Sequence, residues 1–295
     1  MSRSSGPEGA GGLGRRISRI LHRRPRLRLA VLLTAPVAWL VVAYLGALVA
    51  LLVTSFYSTD PFTTEVVHRL TFQNFRDLAS IVVYRRVALR TIGIAAAVTL
   101  IDVAIALPTA FFIAKIASPR SRRLLVAGVV MPLWASYLVK SYAWRAMLDP
   151  VGGVFRKWIG ASPGFGLHAT VIVLAYLWLP YMVLPIYAGL ERLPNSLLEA
   201  SGDLGAQAGT TFRRVVLPLI VPAIVAGSIF TFSLSLGDYI AVGIVGGKTQ
   251  MIGNVVYRNF GANNLPFASA FAVVPVVVMV GYLVAVRRSG ALESL

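Results

Sequence analysis

Four ionisable side chains stand inside otherwise apolar stretches of this chain: Asp102, Lys140, Arg145 and Asp238. A charge at the centre of a bilayer costs about 2.5–3.5 kcal/mol on insertion scales, so each implies a cavity, a partner or an ion pathway. Asp238 carries the most specific chemistry. It follows Gly237 and precedes Tyr239, so a carboxylate and an aromatic face can meet an ammonium group together. Trp134, Tyr142, Trp144, Tyr176, Trp178 and Tyr181 extend the aromatic surface. A plainer reading stands beside this one. Aromatics near span ends form interfacial belts, and Asp102 with Lys140 can neutralise each other between helices. Lys140 and Arg145 also argue against a uniformly acidic route.

Bond-breaking chemistry is poorly provided for. The chain has no cysteine, and its three histidines, His22, His68 and His168, fall outside the apolar segments. There is no H-E-x-x-H, and no G-x-x-x-x-G-K-[ST] loop to hold ATP. GASPG at 160–164 has no base in view and reads as a turn. No catalytic, cofactor or metal site is expected in this polypeptide.

The elements that position these residues follow from composition. Of 295 residues 57% are hydrophobic and 13% charged, with a mean hydropathy of +0.75. That leaves too little polar surface for a soluble domain of this length, so the class is integral membrane and all-α. A net charge of +17 points to nucleic acid in a soluble protein. Here most of the basic residues flank apolar segments, where the positive-inside rule accounts for them, and no nucleic acid is expected. Of the 28 basic residues 24 are arginine, which with abundant Ala and Gly fits a GC-rich bacterial genome.

A spanning helix needs about 20 apolar residues. Six candidates lie at 29–53, 90–115, 124–147, 169–190, 219–242 and 267–286. With the N-terminus inside, the inner segments hold 16 basic residues and the outer loops 8. This bias predicts N-in and C-in with six crossings. Residues 1–28 read as a cytoplasmic Arg-rich arm that keeps topology or meets anionic lipid, and 287–295 as a cytoplasmic tail. The apolar run after Arg28 is too long for a cleaved signal and reads as an anchor. Residues 29–89 hold the first span and a long outer loop expected to pack on the outer face; 90–286 form the core.

Between the fourth and fifth candidates lies LLEASGDLGAQAGTTFRRVVLP, residues 197–218. Ser196 and Glu199 have capping-box spacing. A helix from Leu197 places Leu197, Ala200, Ser201 and Leu204 along one face. Gly205 sits where a helix end favours positive φ. A second short helix is expected from about Thr211, leading to Pro218 and Pro222 early in the fifth span. On spacing alone this is a helix–turn–helix on the cytoplasmic face, equally readable as an amphipathic connector.

Glu199, Ala200, Gly205, Phe212, Val215, Leu217 and Pro218 resemble the EAA signature of permeases in binding-protein-dependent ABC importers. Ser201 replaces the usual alanine. MPLWASYLVKSYAWRAML (131–148), YLWLPYMVLPIYAGLERLP (176–194) and LGDYIAVGIVGGKTQMIGNVV (236–256) resemble the first permease subunit of spermidine/putrescine importers. Position 140 is Lys where those relatives have Arg. The resemblance covers about 90–286. It implies the type I importer permease fold, in a bacterial inner membrane, with a coupling helix near 195–209. Glu199, Ala200, Ser201, Asp203, Leu204 and Gly205 would meet an ATPase. It further implies a second homologous permease, two cytoplasmic ATPase subunits carrying ATP and Mg, and an extracytoplasmic substrate-binding protein. Iron, sulfate, thiamine and phosphonate permeases share this architecture, so other small solutes stay open. A stand-alone secondary transporter would carry more spans, often with internal repeats, and have no use for such a loop. A receptor or purely structural membrane protein would leave the signature unexplained.

Overall fold

The computed structural model describes residues 25–60 and 62–288; the arm through residue 24 and the tail from 289 lie outside them. The chain divides into two units, residues 1–53 and 54–295. In the first, α1 (Pro25–Leu40) runs through a π turn (Val41–Leu45) into α2 (Gly46–Thr54). Leu33–Thr54 is long and apolar enough to cross a membrane.

The second unit opens with a two-stranded ladder, β1 (Ser58–Thr59) against β2 (Val66–Val67), with Ser58 opposite Val67. A short amphipathic helix, α3 (Gln73–Ser80), follows. Buried Asn74 holds the two together by donating to the Ser55 and Tyr57 carbonyls at 2.9 and 2.8 Å. The loop is thus folded rather than a slack connector.

Helix α4 (Val82–Phe111) begins eight residues earlier than the apolar pattern predicts and ends in a π turn (Phe112–Ile116). Arg85, Arg86 and Arg90 therefore ride its first turns instead of lying in or beside the outer loop. Together these 35 residues extend about 52 Å at 1.5 Å per residue, longer than the hydrocarbon core. α5 (Pro119–Trp134) starts where Ser118 caps the Ser121 amide and proline occupies the first turn, a start signal readable in S-P-R-S.

The third candidate span is not straight. α5 stops at Trp134, and α6 (Tyr137–Leu148) leaves at 96°. The described residues thus hold five helices long and apolar enough to cross, and six when this bent pair is counted as one span. Pro132 in the last turn of α5 removes a backbone donor, and Ala135 and Ser136 are extended rather than helical.

α7 (Val154–Ile159) is a short turn of helix, followed by α8 (Leu167–Arg192), α9 (Asn195–Asp203) and α10 (Ala208–Thr211). A π turn (Phe212–Val216) leads into α11 (Leu217–Gly237). α12 (Ile240–Val245), α13 (Ile252–Gly261) and α14 (Leu265–Arg288) complete the order.

The core lies where α4, α8 and α11 pack together. In lipid, helices associate through close packing rather than water exclusion, so small residues mark the crossings. A Cβ at Gly189 would stand 2.7 Å from the Ala223 Cβ, and one at Gly227 2.7 Å from the Met182 sulfur. Ala106, Ala110, Met182, Val183, Ile186, Val216 and Ile220 fill the cytoplasmic half of this interface. Ile94, Val98, Val173, Leu174 and Leu177 fill the other half, with α12 packed on them.

Candidate functional site: a stitched helix break and a cytoplasmic loop

The fifth candidate span ends early, at Gly237, and Asp238 is extended backbone between α11 and α12. Asp238 is buried. One of its carboxylate oxygens accepts from the Val242 amide at 3.3 Å, and the other accepts from the Tyr137 hydroxyl. The Tyr137 oxygen in turn accepts from the Ala241 amide at 3.2 Å. The orphan amides at the start of α12 are therefore satisfied by a pair of side chains from two other elements. Arg145, two turns further along α6, donates to the Ile244 carbonyl at the other end of α12 and stacks 4.7 Å above the Phe165 ring. α6 and α12 are thus stitched at both ends.

Lys140 points the other way along the bend. Its ammonium donates to the Pro132 carbonyl at 3.0 Å, one of the four terminal carbonyls that α5 cannot pair internally. A cation at a helix C-terminus also complements its dipole. Lys140 holds the bend closed and does not neutralise Asp102. That aspartate is fully buried on α4, and neither carboxylate oxygen has a partner among the described residues.

The aromatic set divides. Trp144 is half-buried against Tyr176 and Phe155, at 5.3 and 6.3 Å between rings. Trp178 stacks on Tyr137 at 5.8 Å and touches Tyr181, which reaches Phe230. Trp134, Tyr142 and Tyr239 stay exposed. Trp134 closes an open groove of about 810 Å³ with Met131, Leu124, Tyr187, Glu191 and Arg123. Tyr239 lines a second, of about 430 Å³, with Gly237, Tyr257 and Phe260. The predicted residues do not converge on one pocket.

At the cytoplasmic end α9 begins at Asn195, with Pro194 before it and no side-chain cap. Ser196 lies inside the helix, so the expected capping box with Glu199 does not form. Proline's fixed φ and missing donor set the helix start instead. Gly205 takes φ +76° and ends the helix as expected, with its amide on the Gly202 carbonyl at 2.8 Å. Ser201 and Thr211 hydroxyls bond at 2.8 Å, closing the loop on itself. Glu199, Ala200, Asp203 and Leu204 face outward, Leu204 with 88% of its surface exposed. The second helix begins at Ala208, three residues before the expected start. The π turn at Phe212–Val216 lets it continue through Pro218, whose ring would otherwise meet the Arg214 carbonyl.

Sequence reasoning missed Tyr137, which nothing local distinguishes from a belt tyrosine. It also missed Asp149, whose carboxylate turns the chain after α6 by accepting from Gly152 and Val151 amides at 2.8 and 2.9 Å. Those two donors, Gly152 first, hold its carboxyl below the ordinary carboxylate range.

The sequence and the fold have known counterparts. The chain is 42% identical over 96% of its length, and 96% of the relative's, to the inner membrane ABC transporter permease protein YdcU of Escherichia coli K12. It is 33% identical, over 82% of its length and 87% of the relative's, to the spermidine/putrescine transport system permease protein PotB of Haemophilus influenzae. Its fold matches a chain of the bacterial alginate ABC transporter, solved with a periplasmic protein bound to alginate pentasaccharide. The TM-score is 0.73 at 18% identity, over 92% of this chain and 98% of that one. Residues 15–292 match the family described as binding-protein-dependent transport system inner membrane component. By that match the chain belongs to this family: it is a multi-pass inner-membrane permease subunit of an ABC importer and not itself an enzyme.

Proposed function

We propose that this permease subunit serves polyamine import, taking up spermidine or putrescine, and that α9 with its turn is the coupling element pushed by an ATPase. The observation that carries the mechanical half is the loop itself. Its outer side is exposed and nearly uncharged apart from Glu199 and Asp203, while Ser201–Thr211 and Gly205 fix its shape. Such a rigid knob, with Leu204 at its tip, suits a groove on another protein. Two cytoplasmic ATPase subunits would supply ATP and Mg, since no phosphate-binding loop occurs in this sequence. A second homologous permease and an extracytoplasmic binding protein complete the machine, with both ends of this chain inside. The solved alginate transporter, crystallised with its periplasmic protein, supports that kind of assembly.

The polyamine half rests on the PotB relatives; the name of the more similar YdcU states no substrate. In this chain Trp134, Tyr142 and Tyr239 offer exposed aromatic faces to a cationic solute. Trp144 and Tyr181 would support them from the half-buried layer. Asp238 and Lys140 act behind them, positioning the helix break and the bend rather than touching solute. Specificity then rests mainly on the binding protein. Uptake of radiolabelled spermidine by a strain lacking this gene tests the substrate. Loss of uptake, restored by the gene, is expected; unchanged uptake rejects polyamine. Glu199→Ala and Gly205→Ala test the coupling. Both should insert normally and lose transport-linked ATP hydrolysis.

A further inference from the structure

α4 is remote in sequence from the cytoplasmic loop, yet its inner end holds both ends of it. At the loop's entry, the Lys115 ammonium donates to the Leu193 carbonyl at 2.6 Å and to the Asn195 side-chain oxygen at 3.0 Å. Leu193 is the buried residue that ends α8, and Asn195 opens α9. At the exit, the Phe111 ring meets Phe212 edge-on, 5.9 Å between centroids at 83°. The π turn that carries Lys115 is itself braced from α5. Arg122 donates to the Ile113 and Ala114 carbonyls at 3.1 and 2.7 Å, satisfying two terminal carbonyls of the helix.

We infer that Lys115, with Phe111, makes the inner end of α4 a second receiver of the force that enters the loop. The inference rests on the coupling reading proposed above and adds to it. The covalent route runs through Phe212–Val216 into α11. The second route is non-covalent, and it is strong because both bonds are charge-assisted, hence shorter and stronger than neutral ones. The lysine reaches across 78 residues to this carbonyl, so it connects two elements as well as capping one. When α9 moves, α4 either follows or loses both bonds and the ring contact. Because α4 packs along α8 and α11, following means that the central three helices shift as one body. Lys115 is a positioning residue in this scheme and touches no solute.

The test uses the complete complex of permeases and ATPases. The chain contains no cysteine, so Ile116→Cys and Gln207→Cys, with the cysteines of the other subunits replaced, give one spin-label pair, reporting α4 against the loop. Double electron–electron resonance is recorded without nucleotide and with ATP trapped. In the otherwise native chain one distance is expected, unchanged by ATP. Lys115→Met should add a second distance that appears only with ATP, and Lys115→Arg should restore the single one. Phe111→Ala provides the same readout should Lys115→Met fail to assemble. An ATP-dependent distance in the otherwise native chain overturns the proposal, as does a nucleotide-insensitive single distance in Lys115→Met. The coupling reading is judged separately, by ATP hydrolysis in Glu199→Ala. If that variant stays coupled, the loop is not the point of entry; if it uncouples while Lys115→Met stays rigid, only the clamp fails.

Discussion

The Tyr137 hydroxyl donates to the Asp238 carboxylate across 101 residues of sequence, and this contact decides how two broken helices meet. It holds the first turn of α6, just past the 96° bend, against the gap between α11 and α12. Asp238 is thereby tied into the break, one residue before Tyr239.

Tyr137→Phe removes the donor to Asp238 and the acceptor for the Ala241 amide while keeping the ring on Trp178. Leaving buried polar groups unpaired costs about 1–3 kcal/mol each. The thermal midpoint of the detergent-solubilised complex should fall, while solute preference stays as in the parent. A changed preference at an unchanged midpoint would place Asp238 in the pathway.

Gly253 lets α13 approach the break. A Cβ there would stand 2.8 Å from the Asp238 carbonyl and 3.0 Å from that of Gly237, backbone atoms that cannot swing away. Gly253→Ala should destabilise by about 1–3 kcal/mol, the usual cost of overpacking. Gly237→Ala, with nothing within 4 Å, is the matched control and should be mild.

Much of this was legible in the residues and some was not. Five helices long enough to cross follow from apolar run length, because a bilayer demands it and few competing structures satisfy the backbone there. Gly205 was readable because it is a local backbone requirement. The bend was not. Residues 124–147 are apolar on average despite Lys140 and Arg145, and hydropathy records what a segment dissolves in, not which way it points. Ser196 and Glu199 misled because their spacing recurs one residue inside a helix that Pro194 begins. Lys140 and Asp238 stand out in the sequence through their cost in lipid. Their partners were a backbone carbonyl and a distant tyrosine, which no local pattern encodes.

Gly205→Ala forces a side chain into the left-handed region at φ +76°, although the space around it is open. The strain is about 1–2 kcal/mol, enough to reshape the turn without unfolding the spans. Membrane insertion should be unchanged, and ATP hydrolysis stimulated by the binding protein should drop roughly tenfold. Gly205→Asn, better tolerated at positive φ, should recover part of it.

Asp149 gives the outer turn a pH dependence. Its folded carboxyl sits below the ordinary range, so its contribution is present above the unfolded value and is lost as pH falls through the folded one. Proteolysis at 150–153 should therefore rise on acidification below about pH 4. Asp149→Asn should already be susceptible at neutral pH and show little further change.

The central claim is that α9 and its turn are the surface on which an ATPase acts. A photoactivatable crosslinker at Leu204→Cys, in the assembled complex in native membranes, tests it most directly. The account predicts a crosslink to the ATPase subunit whose yield changes when ATP is trapped. Labelling of that cysteine by an impermeant reagent from the outer side, or crosslinks to lipid alone, would contradict it.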